Sequence, residues 1–420
     1  MGISYLRPSI NMKNKINKEA LDYHSNFPSG KIQITPTKNY LSQKDFSLAY
    51  SPGVSESCKA ITKFTQKAYS FTSKGNLVAV ISNGTAVLGL GNIGALPSKP
   101  VMEGKSLLFK IFAGVDVFDI EIAENEIEPF IRVVKAISPT FGGINLEDLK
   151  APEAFEIELR LKNDLDIPVM HDDQHGTAII SGAALINSLE LVDKKIEKIK
   201  LVVNGAGAAA ISCTRLYKKL GVRVGNILMF DRKGIIYLER NDLTKEKKEF
   251  AVNSHLDLDE ALKGADVFIG LSKGDVLIPE MLLTMSNDPI IFSMANPDPE
   301  IRYDIAIKTR TDAIIASGRG DFPNQVNNVL VFPYIFRGAL DVQSLMINEE
   351  MKLAAVFAIA RLAKDYNKSI IPNPFNNRLI TYVAPHVAKV AIQSGVARKK
   401  ITNWNAYTAY LIERRGIKIK

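Results

Sequence analysis

From about Gly176 to Asn328 the chain repeats one texture, a short apolar run followed by an amphipathic helical span. The apolar runs are Lys200–Val203, Asn226–Phe230, Ala265–Gly270, Pro289–Met294 and Ala313–Ala316, and a helix over Ala178–Glu190 precedes them. Strands that lack polar alternation are buried on both faces, which a parallel sheet covered by crossover helices achieves. The pattern therefore predicts a doubly wound α/β unit. Upstream the chain is mixed. Leu77–Ser82 and Thr85–Leu88 read as β runs joined by Asn83-Gly84, the favoured two-residue hairpin turn. Val115–Ile122 alternates apolar and acidic residues as a half-buried strand does. Glu153–Lys162 reads as helix and Ile167–Met170 as a short strand. After Asn328 the pattern becomes helical, including Glu349–Lys364 and a Pro-interrupted stretch around His386.

Composition narrows the class. The 420 residues suffice for two or three domains, and a hydrophobic fraction of 46% argues against disorder. No apolar run reaches the ~18 residues of a membrane span. Two cysteines, Cys58 and Cys213, suit a reducing, cytoplasmic setting and speak against a cysteine-based metal site. The formal charge of +8 would suit a polyanion or an anionic small molecule. The basic residues are scattered, however, apart from a small cluster of Arg414, Arg415, Lys418 and Lys420, so nucleic acid is not an expected partner. Residues 1–18 carry Arg7, Lys13, Lys15 and Lys18 and no acid, and read as a short basic extension; Leu6 stands where N-myristoylation needs Ser or Thr.

Two glycine motifs compete for a dinucleotide. Gly89–Gly94 matches G-x-G-x-x-G, and Gly205-Ala206-Gly207-Ala208-Ala209-Ala210 matches it with Ala in third place. A dinucleotide site needs a strand before the glycines and a helix opening after them, so that free N–H groups and the positive dipole end meet the pyrophosphate. Pro97 and Pro100 predict an irregular loop after the first motif. The second lies between an apolar run and a good helix, and is the expected cofactor site. Asp231 ends the next strand, where an acid can bind ribose hydroxyls; Arg232 and Lys233 beside it would instead favour a 2′-phosphate. The two signals conflict, with the balance toward NADP. The expected architecture is a mixed α/β N-terminal domain (1–175), a Rossmann-like NAD(P)-binding domain (176–345) and a helical C-terminal segment (346–420).

Acidic residues gather in Glu147-Asp148 and Asp172-Asp173. Acidic pairs are commonly solvated surface, and spacing alone cannot make them converge. If they do, oxygen donors without cysteine suit Mg²⁺ or Mn²⁺. The segment His171-Asp172-Asp173-Gln174-His175 has histidines at i and i+4. The zinc motif H-E-x-x-H needs a helix and a central Glu, whereas here a strand leads in and Gly176 closes the segment.

The stretches AYSPGVSESCKAI, NGTAVLGLGNIGALPSKPVMEGKSLLFK, FGGINLEDLKAPEAFEIE, MHDDQHGTAI, NGAGAAAISC, SMANPDPE and GRGDFPNQVNNVLVFPYIFRGALD occur in order from Ala49 onward. In them the chain resembles the malic enzymes of prokaryotic type. The resemblance implies oxidative decarboxylation of (S)-malate to pyruvate and CO₂ with reduction of NAD(P)⁺, Mg²⁺ or Mn²⁺ dependence, and a homodimer. It implies Lys105 as general base, Tyr50 as general acid, Glu147, Asp148 and Asp173 as metal ligands, and Asp172 as the acid beside them. Asn296 and Asn328 match residues that contact substrate or nicotinamide. By themselves Tyr50 would read as a loop aromatic and Lys105 as a surface lysine. A lysine base must have its pKa brought down from ~10.4 toward operating pH, for which burial and a nearby cation are the expected means. Thr85-Ala86-Val87 offers no arginine for the substrate's C4 carboxylate, as in prokaryotic members, which leaves that partner unidentified. The length suggests the short form, without the phosphotransacetylase-like domain of the longest members. The rivals are a hydroxy-acid dehydrogenase that does not decarboxylate and a non-catalytic metabolite-binding homologue.

Overall fold

The computed structural model describes residues 10–38, 41–87, 89–364 and 369–414, with the side chains of 10–17 left aside. Two parallel sheets organise it. The first has the order β2-β1-β3-β4, from β1 (Leu77–Ser82), β2 (Asp116–Glu121), β3 (Gly143–Leu146) and β4 (Val169–His171). The second has the order β10-β9-β8-β5-β6-β7, from β5 (Leu201–Asn204), β6 (Ile227–Asp231), β7 (Gly234–Ile235), β8 (Val267–Gly270), β9 (Ile290–Ser293) and β10 (Ile314–Ser317). Only β7 in that sheet pairs antiparallel. Its central pair β5–β8 joins parallel strands that are not consecutive, so the strand order reverses there, and ligands of open α/β sheets bind outside the carboxyl ends at such a point.

The first half carries α1 (Ile10–Ser25), α2 (Gln43–Ala49), α3 (Val54–Lys63), α4 (Ala68–Phe71), α5 (Ala95–Ala113), α6 (Ile127–Ile137) and α7 (Glu153–Asp164). The long α8 (Asp172–Leu191) follows β4 and leads to the second sheet, which carries α9 (Ala208–Leu220), α10 (Lys245–Lys248), α11 (Leu258–Leu262), α12 (Pro279–Leu283) and α13 (Tyr303–Thr309). The chain ends in α14 (Phe332–Asp341), α15 (Glu349–Lys364), α16 (Leu379–Gln393) and α17 (Trp404–Arg414). The expected strands of the second sheet all form, within two residues of their predicted ends. No described helix is long and apolar enough to cross a membrane.

Three local readings are corrected. Leu77–Ser82 is a fully buried strand, but it pairs in parallel with β2 on one side and β3 on the other, which leaves no edge for a hairpin partner. Thr85–Val87 forms no strand, and Leu88 lies outside the described residues. Gly84, at φ 67°, instead closes a loop whose end returns through Ile93 N–H and Gly94 N–H to the Gly84 carbonyl. A Cβ there would sit 2.1 Å from the Gly94 oxygen. Second, α5 opens directly after Gly94 rather than an irregular loop. Pro97 lies in the first turn, where an N–H has no helical acceptor to lose, and a 19-residue helix absorbs the single bond lost at Pro100. Third, α8 begins at Asp172, so the HDDQH segment is the start of a helix that runs through Gly176.

The C-terminal helices are not an appendage. Val78 and Val80 of β1, Leu201 and Val203 of β5, Phe336 of α14 and Val387 of α16 belong to one contiguous core. Residues 175 and 176 both lie within α8. A buried polar tie adds to this. Arg337, 1% exposed, forks onto Asp341 and donates to Asn76 Oδ1, while the Tyr407 hydroxyl donates to Asp341 at 2.7 Å. Removing Arg337 or Asp341 would strand the other as a buried charge, which typically costs ~3–5 kcal/mol.

The two thiols differ in kind. Cys58 is exposed, whereas Cys213 is fully buried beside Ser181 and burial pushes its thiol up to about 12. Ellman's reagent should therefore titrate one thiol in the native protein and two in denaturant. Two fast-reacting native thiols would contradict the packing of α9 on α8.

Candidate active site

The acids converge because parallel strands deliver their ends to one rim. Glu147 and Asp148 follow β3 directly, and Asp172 and Asp173 follow its neighbour β4 at the first turn of α8. Ligand oxygens of Glu147, Asp148 and Asp173 lie within 4.8 Å of one another. Asp148 adopts φ 53°, and its backbone N–H donates to Asp173 Oδ2 at 2.8 Å, which locks the two ends together. From behind, Asn145 Nδ2 donates to Glu147 Oε2 at 2.9 Å, and His171 Nε2 lies 3.2 Å from Asp173 Oδ2. These two supporting residues were not singled out from the sequence. Asn145 is readable afterwards as a polar residue in an otherwise apolar buried strand.

Lys105 reaches this rim from α5. Its ammonium lies 2.5 Å from Asp172 Oδ2 and 2.8 Å from Glu147 Oε1, and the residue is only 7% exposed. Asn328, just after the second sheet, donates through Nδ2 to the same Asp172 oxygen. Gly176 permits this approach, since a Cβ there would lie 2.1 Å from Asp172 Oδ1 and 2.8 Å from Asn328 Cβ. The Lys105 ammonium also sits over the Phe332 ring, 4.2 Å from its centroid.

The electrostatics describe a site that wants a cation. Burial, together with the neighbouring acids, raises Glu147 well above the carboxylate range despite Lys105. Burial and Asp173 push Asp148 up to about 8. Burial also raises Asp172, against the pull of Lys105. Asp173 is the exception: burial works to raise it, but His171, Lys105 and the Asp148 N–H together hold it low. For Lys105 the expected downward shift is reversed: burial works to lower it, but Asp172 and Glu147 more than offset that and hold the ammonium above its ordinary value. The donor set fits a hard divalent ion. It is all oxygen, and Asp148 Oδ2 is buried without a hydrogen-bond partner, a lone pair left for a ligand. The two histidines do not form a zinc site, because His175 turns away from the cluster to Glu158, 2.9 Å from Oε1.

Across a cleft of about 840 Å³ the second sheet faces the acids with Gly207, Ala208, Ala209, Asn296 and Asn328. Gly205 sits at φ 128°, and a Cβ on it would meet the Leu271 carbonyl at 2.4 Å, so the β5–α9 turn needs glycine. Ala206 follows it in the same turn, and α9 opens after Gly207 as a pyrophosphate site requires. The glycines of the first motif shape the loop before α5 and are not among the residues lining the cleft. Asp231 ends β6, but its carboxylate is already engaged. Arg240 forks onto both oxygens at 2.9 Å and Lys247 adds a third contact at 2.6 Å. Arg232 is exposed beside it. Tyr50 is not brought to the cleft at all; it follows α2, 76% exposed.

This combination, a carboxylate triad and buried lysine facing a dinucleotide turn, matches what similarity to known proteins reports. The sequence matches the family description "Malic enzyme, N-terminal domain" over residues 29–126 and 123–162, and "Malic enzyme, NAD binding domain" over 174–392. The chain belongs to the malic enzyme family. It is 52% identical to the NADP-dependent malic enzyme of Haemophilus influenzae, over 96% of this chain and 56% of that protein. It is also 52% identical to the NAD-dependent malic enzyme of Rhizobium meliloti, over 93% of this chain and 53% of that protein. The chain thus spans about half the length of these curated malic enzymes. The crystal structure of a malic enzyme from Pyrococcus horikoshii superposes with a TM-score of 0.90 at 44% identity, covering 95% of this chain and 96% of that one.

The raised carboxyl of Asp148 carries a sign. An acid whose folded pKa lies above its unfolded value loses stability as pH rises through that interval, here from about 4 to about 8. Asp148→Asn should therefore raise the melting temperature of the metal-free protein at pH 7.5. Mn²⁺ affinity, measured by calorimetry, should fall ~10-fold or more. A variant that melts lower and binds Mn²⁺ normally would remove Asp148 from the cluster.

Proposed function

We propose that this chain catalyses the oxidative decarboxylation of (S)-malate to pyruvate and CO₂ with reduction of NADP⁺, NAD⁺ serving as the less favoured substitute. The observation that carries the reading is Lys105, buried against Asp172 and Glu147 at the edge of the carboxylate triad and opposite Gly207–Ala209 in one cleft. Glu147, Asp148 and Asp173 would hold Mg²⁺ or Mn²⁺. When bound, such an ion supplies Lewis-acid polarisation of the malate oxygens and an electron sink for the departing C4 carboxylate.

The chain's own residues do the rest. Lys105 takes the C2 hydroxyl proton as hydride leaves C2 for the cofactor. Asp172 and Glu147 hold its proton in the free site; with Glu147 committed as a metal ligand, that hold would weaken and the lysine would come closer to a working base. Asp172, with Asn328 on the same oxygen, orients the amine and receives its charge. Asn296 borders the cleft on the cofactor side. The acids Asp119 and Glu121 on β2 are paired with Lys99 and belong to no step here.

The cofactor preference follows from Asp231. With its carboxylate bonded by Arg240 and Lys247, it has little left for ribose hydroxyls; Arg232, Lys233, Arg240 and Lys247 stand against Asp231 and Asp242, the latter pairing with Lys233 and Arg240, so positive charge is still in excess. That balance supports a 2′-phosphate and so NADP. The setting is cytoplasmic, in keeping with two unpaired thiols.

Tyr50 needs a second copy to act. It is absent from the cleft lining, while its arm exposes Phe27, Leu41, Phe46 and Leu48 at 59% or more. Such an apolar arm suits an isologous dimer in which each chain lends Tyr50 to its neighbour's site as the acid that protonates C3. Mixing Tyr50→Phe and Lys105→Ala subunits should then restore activity. Random hybrids would place both groups in one site per heterodimer, giving about a quarter of wild-type turnover. No recovery would return Tyr50 to its own chain or remove it from the reaction.

Malate with NADP⁺ and Mn²⁺ should yield pyruvate, CO₂ and NADPH in equal amounts, and EDTA should abolish the reaction. Lys105→Ala should lower kcat ~10²–10⁴-fold with NADP⁺ affinity nearly unchanged. Oxaloacetate release without CO₂ would favour a plain hydroxy-acid dehydrogenase, and near-normal turnover in the lysine variant would sink the base assignment.

A further inference from the structure

The helix that carries the acids has a second functional face. Asp173 and Thr177 of α8 line the catalytic cleft, whereas Gln174, His175, Ala178 and Ile179 line another cleft of about 720 Å³. At 100° per residue these two sets lie on opposite sides of one helix. The second cleft is walled by α7 on one side, α9 and α10 on the other, and α15 at its end, so it spans the two sheet-bearing halves. Its size is that of a small-molecule site.

Its walls carry more cations than anions. Lys162, Arg215, Lys218, Lys219, Lys245 and Lys352 line it against Glu158, Glu246, Glu249 and Glu349. Three of these carboxylates are used up within the walls. Glu158 serves Lys162, His175 and the His171 N–H; Glu249 takes the fork of Arg215; Glu349 is divided between Lys219 and Lys352. Among the described residues, no carboxylate pairs with Lys218 or Lys245.

The deepest cation is the most telling. Lys352 is 3% exposed and shares Glu349 with another lysine; among the described residues its further contacts are His175 Nδ1 at 3.3 Å and the more distant charge of Glu158, itself divided among Lys162, His175 and the His171 N–H. Burial and nearby Lys162 push its ammonium below its ordinary value. A buried ammonium with so little compensation is expensive unless a further anion reaches it.

We propose that this cleft is a binding site for a small organic polyanion, a molecule bearing two or more phosphate or carboxylate groups. One anionic group would meet Lys352 and Lys162 at the buried end, and another Lys218 and Lys245 at the rim. Phe155 and Leu216 offer apolar contact for the body between them. Such a ligand ties α7 to α9 and α10 across α8, whose far face holds Asp173, so occupancy bears on the catalytic cleft without entering it. The inference does not depend on the proposed reaction, and its test measures binding alone.

Calorimetric titration of the metal-free protein with inorganic pyrophosphate and with citrate separates the two anion chemistries. Binding of either probe at about 1 mM or tighter is expected, weakened ~10-fold or more by Lys218→Glu/Lys245→Glu at the rim and again by Lys352→Met. Circular dichroism establishes that each variant is folded, and exposed Lys245→Glu alone keeps the test valid if half-buried Lys218→Glu or buried Lys352→Met does not fold. Pyrophosphate alone would assign a phosphorylated ligand, and citrate alone a polycarboxylate. Failure of both probes to bind below about 10 mM overturns the proposal, as does equal binding by wild type and rim variant.

Discussion

A buried ammonium between two buried carboxylates is the constraint around which this molecule is arranged. Lys105, Asp172 and Glu147 are each less than a tenth exposed, and desolvating three charges is tolerable only with tight geometry and satisfied neighbours. The surrounding structure supplies both. The Gly84 loop ends where α5 must start, α5 aims Lys105 at the rim, and parallel register puts the ends of β3 and β4 side by side. Asn145, His171 and Asn328 then fix individual oxygens. The remaining imbalance, four acids against one lysine, is what makes a divalent ion welcome.

The same helix that closes this arrangement joins the halves of the molecule. α8 starts at the acids, packs against α9 and α15, and runs directly to the second sheet. Its neighbours on either face therefore feel changes at its first turn. The β5–α9 turn and the carboxylate rim do not meet through a flexible linker; they share a core that includes β1, β5 and the C-terminal helices.

Much of the second sheet was legible because its strands are buried on both faces and its helices are not, so periodicity separates them cleanly. The site's acids were legible as residue types, but their convergence was not, since it depends on β3 and β4 being neighbours, a fact of topology. The hairpin reading at Asn83-Gly84 failed because turn chemistry says nothing about whether the next strand has a free edge. Pro97 misled for a related reason, since proline excludes a helix interior far more strongly than a first turn, whereas Pro100 lies in the interior of α5 and is tolerated because a long packed helix absorbs one lost bond. The grip of Arg240 and Lys247 on Asp231 was invisible because the two basic residues lie 9 and 16 positions away, on a segment with no pattern of its own. The upward hold on Lys105 was missed for want of knowing that Asp172 and Glu147 both touch it.

The Arg337–Asp341–Tyr407–Asn76 tie has a consequence for how the protein is made. Asn76 stands just before β1, the central strand of the first sheet, while Tyr407 lies in α17 near the far end of the chain. At ~5–20 residues per second, roughly 17–66 s separate their emergence from a ribosome. During that interval Asn76 can reach Gly114 and Asp116 within the first half but not Arg337, and part of the first sheet's apolar face stays open. The nascent chain must therefore survive as a half-built object, and its exposure then, rather than the balance of forces in the finished fold, sets its demand for chaperones.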